Sequence, residues 1–278
     1  MIYKKLFFNN KFIRHSVIGK SWCKRDINLF QMGNTDEFVL FAGAFHGSEW
    51  ITALILIKFL NEILVKFNYD NRIKRYLEKC GIGIIPIVNP DGVEIALNGY
   101  ESAGDYKGLV KKIIGNNHKK WQANARGVDI NHNFNAGWEE LKKLEIESGI
   151  TSPASTRYGG EKPESENETK FLVRFCENNF VKYSLAFHSQ GEEIYWKYGE
   201  KIPKKSKELA ILLSEDSSYK LSEPEGLAIG GGFKDWFIRK FNRPSFTIEV
   251  GKGENPLPLS DLDLIYKKIN KMFYRLLI

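Results

Sequence analysis

Short runs of β-branched and aromatic residues alternate along this chain with longer stretches in which apolar positions recur every three or four residues. The short runs fall at 27–31, 37–44, 82–88, 183–187, 193–196 and 245–250, each bounded by Gly, Pro, Asn or Asp, and predict strands, most of them central in a sheet. The longer period predicts helices over 49–67, 166–178, 204–214 and 233–241. It is clearest over 262–276, where Leu262, Ile265, Tyr266, Ile269, Met272, Phe273 and Leu276 share one face and Ser260-Asp261 stands ready to cap the start. Strands alternating with helices imply an α/β class with helices on both faces of the sheet. From 98 to 125 and from 141 to 162 the chain turns rich in Gly, Asn and Ser and loses its period, which predicts long loops of the kind that carry function. Asn89-Pro-Asp-Gly92 predicts a turn closing the strand at 82–88, and Gly230-Gly-Gly232 a flexible approach to the helix at Phe233.

Composition adds few constraints. A chain of 278 residues, 42% hydrophobic and 27% charged, suits one compact domain over 1–278, with 1–35 supplying its N-terminal strand region. The net charge of +7 is spread over scattered lysines, and pairs such as Lys119-Lys120 and Lys204-Lys205 read as solvated faces. No nucleic-acid partner is expected, while an acidic substrate is compatible with the charge. Cys23, Cys80 and Cys176 are odd in number and widely spaced, which predicts core thiols rather than a disulfide framework or a cysteine zinc cluster. The first ten residues lack the apolar run and cleavage site of a signal peptide, which predicts a cytoplasmic location. The apolar stretch at 51–60 is interrupted by Lys58 and too short to span a bilayer, so no membrane insertion is expected.

The chemistry concentrates at predicted strand ends. His46 and Glu49 follow the strand that ends at Ala44, and His188 lies just past the strand at 183–187. The carboxyl ends of strands are where open α/β sheets place their sites, and two His with one Glu are an established ligand set for catalytic zinc. Either half alone is weak, since a lone His is more often a satisfied polar group. Glu249 stands inside the otherwise apolar Phe246-Thr-Ile-Glu249-Val-Gly251, where a carboxylate is costly without compensation. Two readings stand for it, a salt bridge to a basic neighbour or a general base that takes a proton from a zinc-activated water.

With these residues in view, the chain resembles the zinc carboxypeptidases of the carboxypeptidase A type. His46-x-x-Glu49, Asn89-Pro-Asp-Gly92, Arg126-Gly-Val-Asp-Ile-Asn131, His188 and Thr247-x-Glu249 stand in that family's order between Phe41 and Gly251. The resemblance implies a three-layer α/β/α domain with a mixed, mostly parallel twisted sheet and one Zn²⁺ per chain. It also implies Glu249 as general acid/base, and Arg126 or a nearby residue polarising the scissile carbonyl. Within the family, Gly47-Ser-Glu-Trp-Ile-Thr52, His188-Ser-Gln-Gly-Glu-Glu-Ile-Tyr-Trp196 and the run from Thr247 to Pro258 are most similar to bacterial γ-D-glutamyl-diaminopimelate peptidases. That likeness implies a muropeptide substrate.

Three departures from the digestive members bear on substrate choice. The family's Asn-Arg pair, which grips a terminal carboxylate, reads Asn131-His132, replacing a fixed guanidinium with a titratable imidazole. The family's mobile tyrosine falls at Leu227, which donates no hydrogen bond. Lys234 falls where the family selects the substrate side chain, and a lysine there favours a carboxylate, the alternative being a solvated helix lysine. The function expected is a zinc metallopeptidase acting on γ-D-glutamyl-diaminopimelate bonds. The alternatives are an ordinary metallocarboxypeptidase, a zinc deacylase of N-acyl amino acids, and a catalytically silent zinc protein that binds wall peptides.

Overall fold

The computed structural model describes residues 10–115 and 117–277. An eight-stranded sheet runs in the order β1-β2-β4-β3-β5-β8-β6-β7. Its strands are β1 (Arg14–Lys20), β2 (Asp26–Met32), β3 (Phe38–Ala42), β4 (Gly81–Ile85), β5 (Val181–His188), β6 (Glu193–Tyr195), β7 (Lys220–Ser222) and β8 (Ser245–Glu249). The centre, β4-β3-β5-β8, is parallel. The pairings β1/β2, β2/β4 and β6/β8 are antiparallel, and β7 runs parallel to β6.

Nine helices flank this sheet among the described residues. They are α1 (Ile51–Phe67), α2 (Asn71–Lys79), α3 (Pro90–Asn98), α4 (Lys107–Ile114), α5 (Trp138–Glu147), α6 (Asn167–Asn178), α7 (Ser206–Ser217), α8 (Phe233–Phe241) and α9 (Leu262–Arg275). Because successive strand residues face opposite ways, β3 feeds two cores at once. Val39 and Phe41 pack with Ile55 and Phe59 of α1 and Phe273 of α9, whereas Phe38, Leu40 and Ala42 pack with Leu172 of α6 and Phe237 of α8. Phe273 seals the first layer by stacking on Phe59 at 4.2 Å between ring centroids and on Phe187 at 5.4 Å. The expected α/β/α layering with a mixed sheet is therefore present. None of the helices among the described residues is long and apolar enough to cross a membrane. Residues 1–9, on which the expectation about a signal peptide rests, lie outside the described residues.

The main corrections concern the expected loops. The stretch 98–125 contains α4 and short 3-10 turns, with a small core of its own in which Val110, Ile114, Ala103 and Trp121 are buried. The stretch 141–162 begins inside α5 and becomes irregular only after Glu147. Glycines at 104 and 115 bracket α4, so its apolar spacing is too short to register as a period. Asn89-Pro-Asp-Gly92, expected as a turn closing the strand at 82–88, instead starts α3. The Asn89 side chain accepts from the Gly92 N–H at 2.8 Å and Pro90 sits in the first turn, a standard N-cap. The expected cap of the last helix is absent, since a 3-10 turn at Leu259–Asp261 leads into α9 without a side-chain cap. Two edge strands, β1 and β7, escaped the pattern because one is mostly solvated and the other is three residues long. The three cysteines are free, with Cys80 and Cys176 buried and Cys23 only half-buried.

A buried acidic group ties α3 to the turn between β1 and β2. Asp91 accepts from Ser21 Oγ, from the Cys23 N–H and from Arg25 Nη1 at 2.7–2.9 Å. Nearby, Glu168 is fully buried and its Oε1 has no partner among the described residues. Burial first, then repulsion from Asp91 and Glu166, raises its carboxyl to about 8. In the unfolded chain this group ionises near ~4.3, so between those values the native state holds a proton that the unfolded state has lost. Stability contributed by the neutral acid is fully present at low pH and disappears as pH rises towards 8, at up to about 1.4 kcal/mol per pH unit. Glu168→Gln should therefore unfold at a higher temperature than the parent, with the gap widening from pH 5 to pH 8. A gap independent of pH would show that Glu168 is ionised in the native state.

Candidate active site

His46 follows β3 through Gly43 and Ala44, the latter held at φ +47° so that the chain turns sharply out of the sheet. The 3-10 turn Gly47–Glu49 then points Glu49 back toward His46 before α1 begins, because the Thr52 hydroxyl and the His46 carbonyl bond this short segment closed. His188 is the last residue of β5 and Glu249 the last of β8, and the two are direct register partners across the parallel pair. Strand ends from three different parts of the sequence thus converge at one edge of the parallel centre.

The ligand atoms of His46, Glu49 and His188 all lie within 4.8 Å of one another. His46 Nδ1 is 2.9 Å from Glu49 Oε1, His188 Nδ1 is 3.0 Å from Glu49 Oε2, and the two Nδ1 atoms are 3.3 Å apart. Two imidazole nitrogens and a carboxylate facing one point are a donor set that suits zinc, and their mutual approach leaves each little else to bond. Burial pulls the His188 imidazole down from its ordinary pKa, against the pull of Glu49, which favours the neutral, ligating form. Burial also acts to lower His46, but Glu49 and Asp129 outweigh it and raise it.

Asp129 was passed over in the sequence although it stands two residues before Asn131. It lies almost wholly buried, with Oδ1 3.1 Å from His46 Nε2 and accepting from the Asn131 N–H at 3.1 Å, while Oδ2 accepts from the Arg157 N–H at 2.9 Å. Although burial opposes it, these partners and His132 hold its carboxyl far below the usual range. A carboxylate on the far nitrogen of a ligating histidine fixes the ring and strengthens it as a ligand. Asp129→Asn should weaken zinc binding by about 10–100-fold in competition with a chromogenic chelator, and unchanged affinity would dismiss this role.

Above the trio opens a cleft of about 350 Å³, lined by His46, Asp129, Asn131, His132, His188 and Glu249, and also by Arg157, Tyr195, Leu227 and Lys234. Burial, then repulsion from Glu49, raises the Glu249 carboxyl well above its ordinary pKa. Among the described residues no lysine or arginine pairs with Glu249, so the salt-bridge reading of this residue has no partner there. Asn131 Oδ1 accepts from the Phe233 N–H at 3.0 Å, which leaves its amide hydrogens to the cleft. His132 Nδ1 lies 3.0 Å from Glu145, a buried carboxylate also held by Lys142 and the Gly159 N–H. Lys234 is buried rather than solvated, pairing with Asp235 and donating to the Lys197 carbonyl at 2.7 Å.

Arg126 is placed differently from the expectation. Its Nη1 lies 3.3 Å from Glu166 Oε1, its guanidinium sits 4.6 Å over the Trp22 ring, and it does not line the cleft. Asn124 accepts from the Arg126 N–H at 2.9 Å and donates to the same Glu166 carboxylate at 2.8 Å. The arginine among the residues that line the cleft is Arg157, in the stretch 141–162 expected from sequence to be a function-bearing loop.

The zinc carboxypeptidase family model matches residues 8–271. The chain belongs to the zinc carboxypeptidase family. It is a zinc-dependent peptidase, and peptides are its substrates. Over 281 residues this zinc carboxypeptidase is 34% identical to γ-D-glutamyl-L-diamino acid endopeptidase 1 of Lysinibacillus sphaericus, covering 97% of this chain and 68% of that protein. It is 27% identical to carboxypeptidase B of Rattus norvegicus over 87% of its own length and 59% of the relative's. Its fold is that of bovine thrombin-activatable fibrinolysis inhibitor, with a TM-score of 0.76 at 20% identity, covering 99% of this chain and 92% of that one.

Proposed function

We propose that this zinc carboxypeptidase hydrolyses the amide bond between a γ-linked D-glutamyl residue and a diamino acid in bacterial wall peptides. The observation that carries this reading is the 34% identity, over 97% of the chain, to a protein named for that linkage. The make-up of the cleft supports it. Where a C-terminal carboxylate would meet a fixed guanidinium, His132 stands with one nitrogen engaged by Glu145, and Leu227 offers no hydroxyl. Lys234 brings an ammonium to the same cleft, although Asp235 and a carbonyl already take part of its bonding.

Zinc held by His46, Glu49 and His188 would supply Lewis acidity to the scissile carbonyl and to a water beside it. Glu249, next to His188 in register and at the cleft wall, takes a proton from the attacking water and passes one to the leaving amine nitrogen. Asn131 donates its free amide hydrogens to the substrate, and His132 and Lys234 meet the substrate's carboxylates. Asp129 keeps His46 in place throughout. Arg126 takes no part in the cleft and acts as a structural tie to Glu166.

Mass spectrometry of products from defined muropeptides, with ordinary peptides as controls, tests the reading. Release of the diamino acid portion by cleavage after γ-D-glutamate is the expected result. Removal of single C-terminal residues from ordinary peptides, with the γ-linked bond left intact, would establish a plain carboxypeptidase instead.

A further inference from the structure

The basic side chains of the cleft differ in how far they are already paired. His132 is backed by Glu145 and Lys234 by Asp235. Arg157 has neither an acidic partner nor a hydrogen-bond acceptor for its guanidinium among the described residues, yet it lines the cleft beside His46 and Gln122. Its main chain is held in the left-handed region at φ +63°, a conformation that a non-glycine residue adopts at a cost and keeps only where its surroundings enforce it.

Those surroundings are specific. The Arg157 N–H donates to Asp129 Oδ2, the carboxylate whose other oxygen meets His46 Nε2. On either side, the Asp129 N–H donates to the Tyr158 carbonyl and the Gln122 and Ala123 N–H groups donate to the Ser155 carbonyl. Thr156 Oγ1 bonds to Gln122 Oε1. The segment 155–158 is thereby strapped to the strand of chain that carries Asp129, and Arg157 is two hydrogen bonds from a metal ligand. The exposed guanidinium, carried on a fixed main chain and without an internal partner among the described residues, is available to an anionic group of the substrate close to the reacting carbonyl.

The γ-linkage supplies such a group. In an ordinary peptide the residue that gives the scissile carbonyl has no free α-carboxylate, because that carboxyl is the carbonyl being cleaved. In a γ-linked glutamyl residue the scissile carbonyl is the side chain's, and the α-carboxylate is left free three carbons away. We propose that Arg157 binds this free α-carboxylate and so makes the enzyme select γ-glutamyl bonds over α-linked ones. The inference rests on the proposed function and names the residue that would enforce it.

Two substrates decide the matter, L-Ala-γ-D-Glu-diaminopimelate and the same peptide with the glutamyl α-carboxyl converted to its amide. The parent enzyme should prefer the free acid, and Arg157→Ala should lose about 10–100-fold in kcat/KM on it while changing little on the amide. Arg157→Lys should recover part of the preference, since an ammonium keeps the charge but not the two-pronged fit. The acid-to-amide ratio within one variant does not depend on the folded fraction, so poor folding cannot mimic the result. An Arg157→Ala enzyme that keeps the parent's ratio, or loses equally on both substrates as a carbonyl-polarising group would, overturns the inference while the γ-linked specificity stands. If the parent cleaves neither substrate but trims ordinary C-termini, the proposed function falls and the inference with it.

Discussion

Glu249→Gln should bind zinc as the parent does and lower kcat by about 10³–10⁴-fold, near the upper range for loss of a positioned proton-transfer group. The expected size follows from what surrounds the residue. Glu249 ends β8 directly beside His188, lines the cleft, and has no basic side chain to satisfy it among the described residues. Burial and the Glu49 carboxylate make its proton affinity high in the metal-free site, and a bound dication opposes the second of these effects. Glutamine preserves the shape of the side chain but neither accepts nor returns a proton. Metal content and turnover on the same preparation check the prediction, and a variant that keeps a tenth of the parent kcat would remove Glu249 from the proton path.

Stripping the metal with a chelator should abolish turnover while leaving the sheet folded, and added zinc should restore it. The ligands hang on elements whose packing does not depend on them. β3 and β5 bury Phe41 and Phe187 against Phe273, and Ile51 and Ile55 hold α1 on the same layer. His188→Ala should leave the protein folded with far less than one zinc per chain. Zinc at a thousandfold excess over its Kd should raise stability by about 4 kcal/mol, visible as a Tm increase that His188→Ala does not show. Full turnover after metal removal, with metal content verified as negligible, would refute a zinc mechanism.

The ease of finding the site in the sequence varies with how local its signals are. His46 and Glu49 are three residues apart on one turn, and His188 and Glu249 each end a strongly apolar run, so their placement follows from strand periodicity. Lys234 is legible as a departure from the family pattern, and it is among the residues that line the cleft. Arg126 misleads because its neighbours in sequence are site residues, while the side chain's direction is set by Glu166, forty positions away. Arg157 has no sequence signal at all. It sits among Ser, Thr and Gly, and only its bond to Asp129 and the strap to Gln122 carry it into the cleft.

The same division holds for the fold. The parallel centre is written in short apolar runs, since strands buried on both faces must be apolar at every position, and α9 is written in a long unbroken helical period. The helices within 98–125 and 141–162 are short and amphipathic, and their identity depends on what they pack against, such as Trp121 beneath α4. By itself, then, the sequence determined the α/β class, the zinc carboxypeptidase motifs and the metal trio, because each rests on local spacing or on residues whose chemistry is unambiguous. Tertiary structure alone decided which arginine lines the cleft, which carboxylate meets His46 and which acid is buried without a partner among the described residues. Those are questions of distance and dielectric between segments far apart in the chain, and no local pattern records them.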